Sequence, residues 1–219
     1  MPSADGAPRG LILDWGGVLT GDLRSLVRRW AEAERIDVEA YVAVMREWFG
    51  GEVEMEARIN PVHALERGEM AFADFEARLA DALTARTGVP HQADGLLTRM
   101  FALFDHAHDM NALVRRAHEA GIRTALLSNS WGDHYPRDMW DGMFDAVVIS
   151  GEVGMRKPEP RIFHYTLERI GLQAEECVFV DDLAENISAA VALGFIGVHH
   201  TSYDESAREL EALFRIPLA

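Results

Sequence analysis

Gly10-Leu11-Ile12-Leu13-Asp14-Trp15-Gly16-Gly17 is the stretch on which the reading of the fold turns. A short apolar run leads into a carboxylate and two glycines. With no alternation of polar residues, the run predicts a strand buried on both faces, closed by Asp14. Similar runs recur downstream. Ile122 to Leu127 ends at Ser128-Asn129, Ala146 to Ile149 ends at Ser150-Gly151, and Val178 to Val180 ends at Asp181-Asp182. Ile196-Gly197-Val198 is a last short strand. Helical spacing separates them: Leu113, Val114 and Ala117 before Gly121, a helix over 160–170 before Gly171, a helix to Leu193 before Gly194, and Leu210, Leu213 and Phe214 at the end.

Strands alternating with helices predict an α/β fold, a Rossmann-like doubly wound parallel sheet. Residues 22–105 break that alternation. Leu23, Leu26, Val27, Trp30 and Ala31 follow helical spacing, as do Phe72, Phe75, Leu79 and Leu83, and Leu97, Met100, Phe101 and Phe104. Glycines near 50, 68 and 88 divide this region into separate helices. The expected organisation is a catalytic core of residues 1–21 and 106–219, with 22–105 inserted as a helical cap.

Composition excludes several classes. Of 219 residues, 48% are hydrophobic and 26% charged, ordinary for a globular protein. No run approaches the roughly 20 apolar residues of a membrane span, so no membrane partner is expected. The first eight residues lack the basic and apolar regions of a signal peptide and predict a disordered lead-in, with a cytoplasmic location as the default. A net charge of −15 opposes a nucleic-acid partner. Cys177 is the only cysteine, which excludes an internal disulfide and reads as strand core. Among the 21 basic residues, Lys157 is the only lysine, which either is chance or marks a site needing a compact point charge.

In doubly wound sheets, ligands bind outside the carboxyl ends of the strands. Asp14, Ser128 with Asn129, and Asp181 with Asp182 all stand at such ends, and Lys157 precedes a helix that Pro160 suits. Three carboxylates in one crevice cannot all stay ionised without a cation. All-oxygen ligation favours a hard ion, and Mg²⁺ accepts one or two carboxylates plus phosphate and water. A carboxylate can attack phosphorus, while an ammonium and a hydroxyl neutralise the transferring group. Gly16 and Gly17 would let backbone N–H groups turn toward it.

These segments resemble the four motifs of the haloacid dehalogenase (HAD) superfamily. Asp14-Trp15-Gly16-Gly17-Val18-Leu19-Thr20 is similar to the first and Leu126-Leu127-Ser128-Asn129 to the second. Gly154-Met155-Arg156-Lys157-Pro158-Glu159-Pro160 is similar to the third, and Val180-Asp181-Asp182-Leu183-Ala184-Glu185-Asn186 to the fourth. A helical insert between the first and second resembles the C1-capped subfamily. The resemblance implies Asp14 as nucleophile and metal ligand, with the Gly16 carbonyl and Asp182 completing the metal site and Asp181 binding directly or through water. It implies Ser128 and Lys157 as catalytic and phosphate-holding groups, with Asn129 and Gly17 adding phosphate contacts. Asn186 is expected to support its loop. The sequence departs from the usual pattern at Gly16, where family phosphatases carry an Asp that acts as general acid, a loss worth about 10²–10⁴ in rate. His63, Asp22 and His108 are candidate donors among which the sequence does not choose.

The expected function is therefore Mg²⁺-dependent hydrolysis of a small phosphate ester, a sugar phosphate among the candidates, through an aspartyl-phosphate. The alternatives are a 2-haloacid dehalogenase, disfavoured by Asp181-Asp182, and a phosphometabolite-binding module without catalysis. Phosphonate cleavage needs a cap lysine, and residues 22–105 contain none. Trp48, Phe49, Met55 and Arg58 are read as facing the cleft or as cap core, and a homodimer through the cap is one alternative for the oligomeric state.

Overall fold

The most apolar strands take the middle of the sheet. The computed structural model describes residues 6–49 and 60–219. Five strands, β1 (Gly10–Leu13), β2 (Arg123–Ser128), β3 (Ala146–Ile149), β4 (Cys177–Asp181) and β5 (Ile196–His199), pair in the order β3-β2-β1-β4-β5. Every pair is parallel. β1 and β4 are buried along their whole length, whereas the edge strand β5 is partly exposed. Side chains alternate across the sheet. Leu11 and Leu13 enter one hydrophobic cluster, and Ile12 enters another on the opposite face. The chain passes from β3 at one edge to β4 beyond β1, so the topological switch lies between β1 and β4. Leu13 pairs with Val180, which sets Asp14 level with Asp181.

Between β1 and β2 run α1 (Leu23–Glu34), α2 (Val38–Phe49), α3 (Pro61–Glu66), α4 (Phe72–Thr87) and α5 (Leu96–Phe101). Their apolar stripes meet one another rather than the sheet, around Trp30, Phe75, Leu79 and Leu83. Trp30 is wholly buried, and its indole N–H donates to the Leu96 carbonyl at 2.9 Å. Asp22 caps α1 by accepting from Ser25 N at 2.8 Å, and Asn60 caps α3 ahead of Pro61. The chain leaves and re-enters the sheet region side by side. Thr20 and His106 form an antiparallel bridge, and Gly21 N donates to the Asp105 carbonyl at 2.8 Å.

The remaining helices are α6 (His108–Glu119), α7 (Ser150–Val153), α8 (Pro160–Ile170), α9 (Ala184–Ala192) and α10 (Tyr203–Phe214). α6 and α10 cover the face carrying Leu11, and α8 and α9 cover the face carrying Ile12. Strand bounds differ from the expected ones by a residue, as when Asp14 follows β1 instead of closing it. α5 stops at Phe101, so Phe104 lies past the helix it was expected to extend. Ser150-Gly151, expected only as the end of a strand, opens a short helix, and 3-10 turns at Arg137–Trp140 and Ala174–Glu176 had no periodic signal to announce them. Cys177 is buried in β4, and burial pushes its thiol up to about 12. No helix among the described residues is long and apolar enough to cross a membrane. Met55 and Arg58 lie outside the described residues.

Asp145 ties the start of β3 to β2. Its carboxylate accepts from Thr124 N at 2.9 Å and from Arg123 Nη1 at 2.6 Å. Burial alone would raise its pKa, but these donors outweigh burial and hold it below the usual carboxylate value. A depressed pKa contributes stability above the unfolded value near 3.9 that is lost as pH falls through the folded one. Asp145→Ala is therefore expected to lower the unfolding free energy by about 1–2 kcal/mol at pH 7. In urea melts the difference from wild type should shrink below pH 4; a difference independent of pH would assign the loss to packing.

Candidate functional site

The carboxyl ends of β1, β2 and β4 bring Asp14, Ser128 and Asp182 to one crevice, with Asp181 wholly buried behind it, and the loop before α8 delivers Lys157. The ammonium of Lys157 lies 2.8 Å from Asp14 Oδ1 and 2.6 Å from Asp181 Oδ2, with its side chain only 1% exposed. The Phe179 ring lies 5.6 Å beneath it. Asn129 fixes the lysine backbone from both sides: Lys157 N donates to Asn129 Oδ1 at 2.8 Å, and Asn129 Nδ2 donates to the Lys157 carbonyl at 3.0 Å. Asp181 is held as firmly. It accepts from Leu183 N at 2.9 Å and from Asn186 Nδ2 at 3.0 and 3.1 Å, in addition to Lys157. Asp14 Oδ1 also accepts from Trp15 N at 2.7 Å, while its other oxygen carries no hydrogen bond among the described residues.

Asp14, Asp181 and Asp182 each offer an oxygen within 4.8 Å of the others. One ammonium does not balance three carboxylates. Burial would lower the Lys157 pKa, but Asp14 and Asp181 outweigh it and raise it, so the lysine keeps its proton. The uncompensated charge falls on the other two. Burial pushes Asp14 up to about 7 against the pull of Lys157, with Asp181 and then Asp182 adding to the rise. Burial and the neighbouring Asp181 push Asp182 up to about 6. A divalent cation between Asp14 and Asp182 would relieve this repulsion, and the all-oxygen donor set suits Mg²⁺.

The two glycines after Asp14 differ. Gly17 has φ +74°, and a Cβ there would lie 2.6 Å from Asp182 Oδ2, so only glycine lets Asp182 approach. Its N–H donates to Thr20 Oγ1 at 2.9 Å rather than into the crevice. A Cβ on Gly16 would meet Leu23 Cδ1 at 3.6 Å, ordinary contact, so the backbone position itself tolerates a Cβ.

A cavity of about 550 Å³ extends from this cluster to the inserted helices. Ser128 Oγ lies 2.9 Å from the hydroxyl of Tyr135, whose ring tilts against Trp15 at 4.7 Å. Trp15 in turn stacks on Phe104 at 4.9 Å. Sequence reasoning missed Tyr135 and Trp15, because a loop aromatic carries no spacing signal. Of the candidate proton donors, Asp22 is the α1 cap, with a pKa lowered by Ser25, and neither His63 nor His108 lines the cavity. Glu66 and His134 do line it. Glu66, at the end of α3, makes a buried ion pair with Arg156 at 2.5 Å and accepts from Trp131 Nε1 at 3.3 Å. Beside it, Gly68 packs so closely that a Cβ would lie 2.5 Å from the Gly151 carbonyl. Phe49 borders the cavity at 48% exposure, whereas Trp48 packs on Phe75 at 5.5 Å within the helical cluster.

Residues 8–194 match the family model of haloacid dehalogenase-like hydrolases. The chain belongs to that family. It is 30% identical over 219 residues to mouse acyl-CoA dehydrogenase family member 10, covering 96% of this chain and 19% of that protein. It is 35% identical over 109 residues to a sesquiterpene phosphatase of Aspergillus oryzae, covering 48% of this chain and 55% of that one. The chain thus spans from a fifth to about half the length of these curated relatives. A HAD family enzyme of Bacteroides thetaiotaomicron, solved in complex with magnesium and inorganic phosphate, superposes with a TM-score of 0.60 at 20% identity, covering 89% of this chain and 94% of that one. At that identity the likeness is one of fold.

Removing one partner of a buried ion pair leaves the other charge without compensation. Glu66→Ala is expected to destabilise the protein by about 3 kcal/mol in urea unfolding, whereas Glu66→Met combined with Arg156→Met restores most of the loss. A double variant no more stable than the single one would contradict this account.

Proposed function

We propose that the chain is a Mg²⁺-dependent phosphomonoester hydrolase in which Asp14 is the nucleophile. The observation that carries this reading is Lys157, locked between Asp14 and Asp181 in a crevice whose remaining carboxylate charge needs a cation. The relative named as a sesquiterpene phosphatase and the solved neighbour with magnesium and phosphate support it. Residues 1–21 and 106–219 serve as the catalytic core, and 22–105 as the cap that excludes bulk water.

The oxygen of Asp14 that carries no hydrogen bond attacks phosphorus. The ester P–O bond breaks, its electron pair leaves on the alcohol oxygen, and that oxygen takes a proton from water. The hydroxide left by that water then attacks phosphorus, the bond to Asp14 breaks, and phosphate and the free carboxylate result. Lys157 and Ser128 hold the phosphoryl oxygens through both steps and stabilise the charge that develops there. Asn129 acts on the phosphate through the lysine it positions. Asp181 anchors Lys157, and Gly17 lets Asp182 reach the crevice. Mg²⁺ held by Asp14, Asp182 and the Gly16 carbonyl, with Asp181 behind them, would neutralise the repulsion between nucleophile and phosphate.

An aryl phosphate barely needs a general acid, so it isolates the nucleophilic step. Turnover of p-nitrophenyl phosphate is expected with Mg²⁺, to vanish with EDTA, and to fall at least about 10³-fold in Asp14→Asn. Activity indifferent to EDTA and to Asp14→Asn would sink the reading, and metal-independent halide release from a haloacid would replace it with the dehalogenase.

The space at Gly16 generates a further expectation. Gly16→Asp should raise turnover of alkyl phosphates about 10-fold or more while changing aryl phosphate turnover little. Equal effects on both would show that proton delivery to the leaving group does not limit the enzyme.

A further inference from the structure

Among the described residues, the charged side chains of the cavity gather at the carboxylate end, and its walls point to the leaving group. We infer that the site takes the phosphate monoester of a hydrophobic, predominantly hydrocarbon alcohol rather than of a sugar; this rests on the phosphohydrolase reading. Leu23, Leu26 and Val27 of α1, Met100 and Phe101 of α5, and Trp131 from the core form the wall facing the cluster. The apolar surface begins at the phosphate end itself, since a Cβ on Gly16 would touch Leu23 at 3.6 Å. The alcohol carbon next to the ester oxygen therefore meets a leucine.

Most polar side chains around that end are already committed, Asn186 to Asp181 among them, while Glu185 on α9 is exposed. Glu66 is taken by Arg156 and Trp131, Asn129 by the Lys157 backbone, and Tyr135 by Ser128. Among the described residues, two polar side chains interrupt the wall, Tyr41 and His134, and each ring packs on aromatic neighbours. Tyr41 packs edge-on against Trp30 at 5.2 Å, and His134 lies between Phe101 at 4.6 Å and Phe72 at 5.2 Å. A hexose phosphate would bring several hydroxyls into this space and leave most without a partner, which disfavours it strongly. A hydrocarbon loses nothing there and gains by leaving water. The volume of about 550 Å³ is that of a pocket for an extended organic ligand, far beyond what a phosphate and one or two carbons would fill.

The test is phosphate release with Mg²⁺ from butyl, hexyl and octyl phosphate below their micelle concentrations, against glucose 6-phosphate and glycerol 3-phosphate, with p-nitrophenyl phosphate as the chemical control. We expect kcat/KM to rise about fourfold per added methylene until the cavity fills, and octyl phosphate to exceed the sugar ester by at least about 100-fold. Val27→Trp should lower the ratio of octyl to aryl turnover at least about 10-fold. Turnover of the aryl ester with the sugar or glycerol ester equal to octyl phosphate would overturn the substrate class and leave the hydrolase standing. No turnover of any ester would remove the hydrolase reading. Tryptophan fluorescence from Trp15 and Trp131 then decides the cavity: binding of octylphosphonate at least about 100-fold tighter than methylphosphonate upholds the hydrophobic ligand, and equal affinities overturn it.

Discussion

A single ammonium, wholly buried between two carboxylates, sets the terms for the rest of this molecule. Burying Lys157 alone would drive off its proton, so it requires Asp14 and Asp181 at hydrogen-bond distance. That requirement is met only if β1 and β4 are neighbours and end at the same level, which the parallel pairing of Leu13 with Val180 provides. Strand order is thereby tied to electrostatics. Asn129 and Asn186 are spent on the same constraint, one fixing the lysine backbone and the other fixing Asp181. What the ammonium cannot neutralise is left on Asp14 and Asp182, and this residual charge makes the crevice attractive to a divalent cation in a chain of net charge −15.

Much of this was written in the sequence, for an identifiable reason. Strands buried on both faces show as unbroken apolar runs, and all five were placed to within about a residue. Polar groups at their ends stand out against those runs, so Asp14, Ser128, Asp181 and Asp182 were legible together. The lone lysine was legible only because arginine is used everywhere else. The partners of those groups were not. Asn129 reads as a phosphate ligand until its amide is seen bridging Lys157, and Gly17 reads as part of an anion nest until its N–H is seen on Thr20. Such roles depend on where a side chain points, and no periodicity encodes that. Tyr135, Trp15 and Glu66 were invisible for the same reason, the first two lying in loops and Glu66 closing the six-residue α3.

The contact between the inserted helices and the sheet is built from unlike parts. Gly68 and Gly151 allow backbones to approach closely, and the Ser150 hydroxyl donates to the Glu66 carbonyl. The buried Glu66–Arg156 pair crosses this contact. A desolvated ion pair roughly breaks even against water, unlike an apolar patch of equal area. Beside the aromatic contacts of Phe75 with Trp131 and Phe72 with His134, the pair adds specificity for one docked arrangement rather than further adhesion. Only the side-by-side strands of chain at Thr20 and His106 join them covalently. Under the proposed division into core and cap, that combination suits a cover that must separate for a ligand to enter and return to one position afterwards.

The same geometry bears on the missing acid at Gly16. A carboxylate there would have to sit against Leu23, buried beside two other carboxylates already raised toward neutrality. In an apolar pocket a further ionised group is costly, and a neutral one would compete with the alcohol for space. On the proposed reading, Gly16 instead keeps the wall next to the ester oxygen apolar, with Leu23 beside it. The loss of a proton donor and the hydrophobic character of the cavity are then two consequences of one choice of side chain. Under the proposed substrate class, the trade favours recognition of a hydrocarbon leaving group over speed in expelling it.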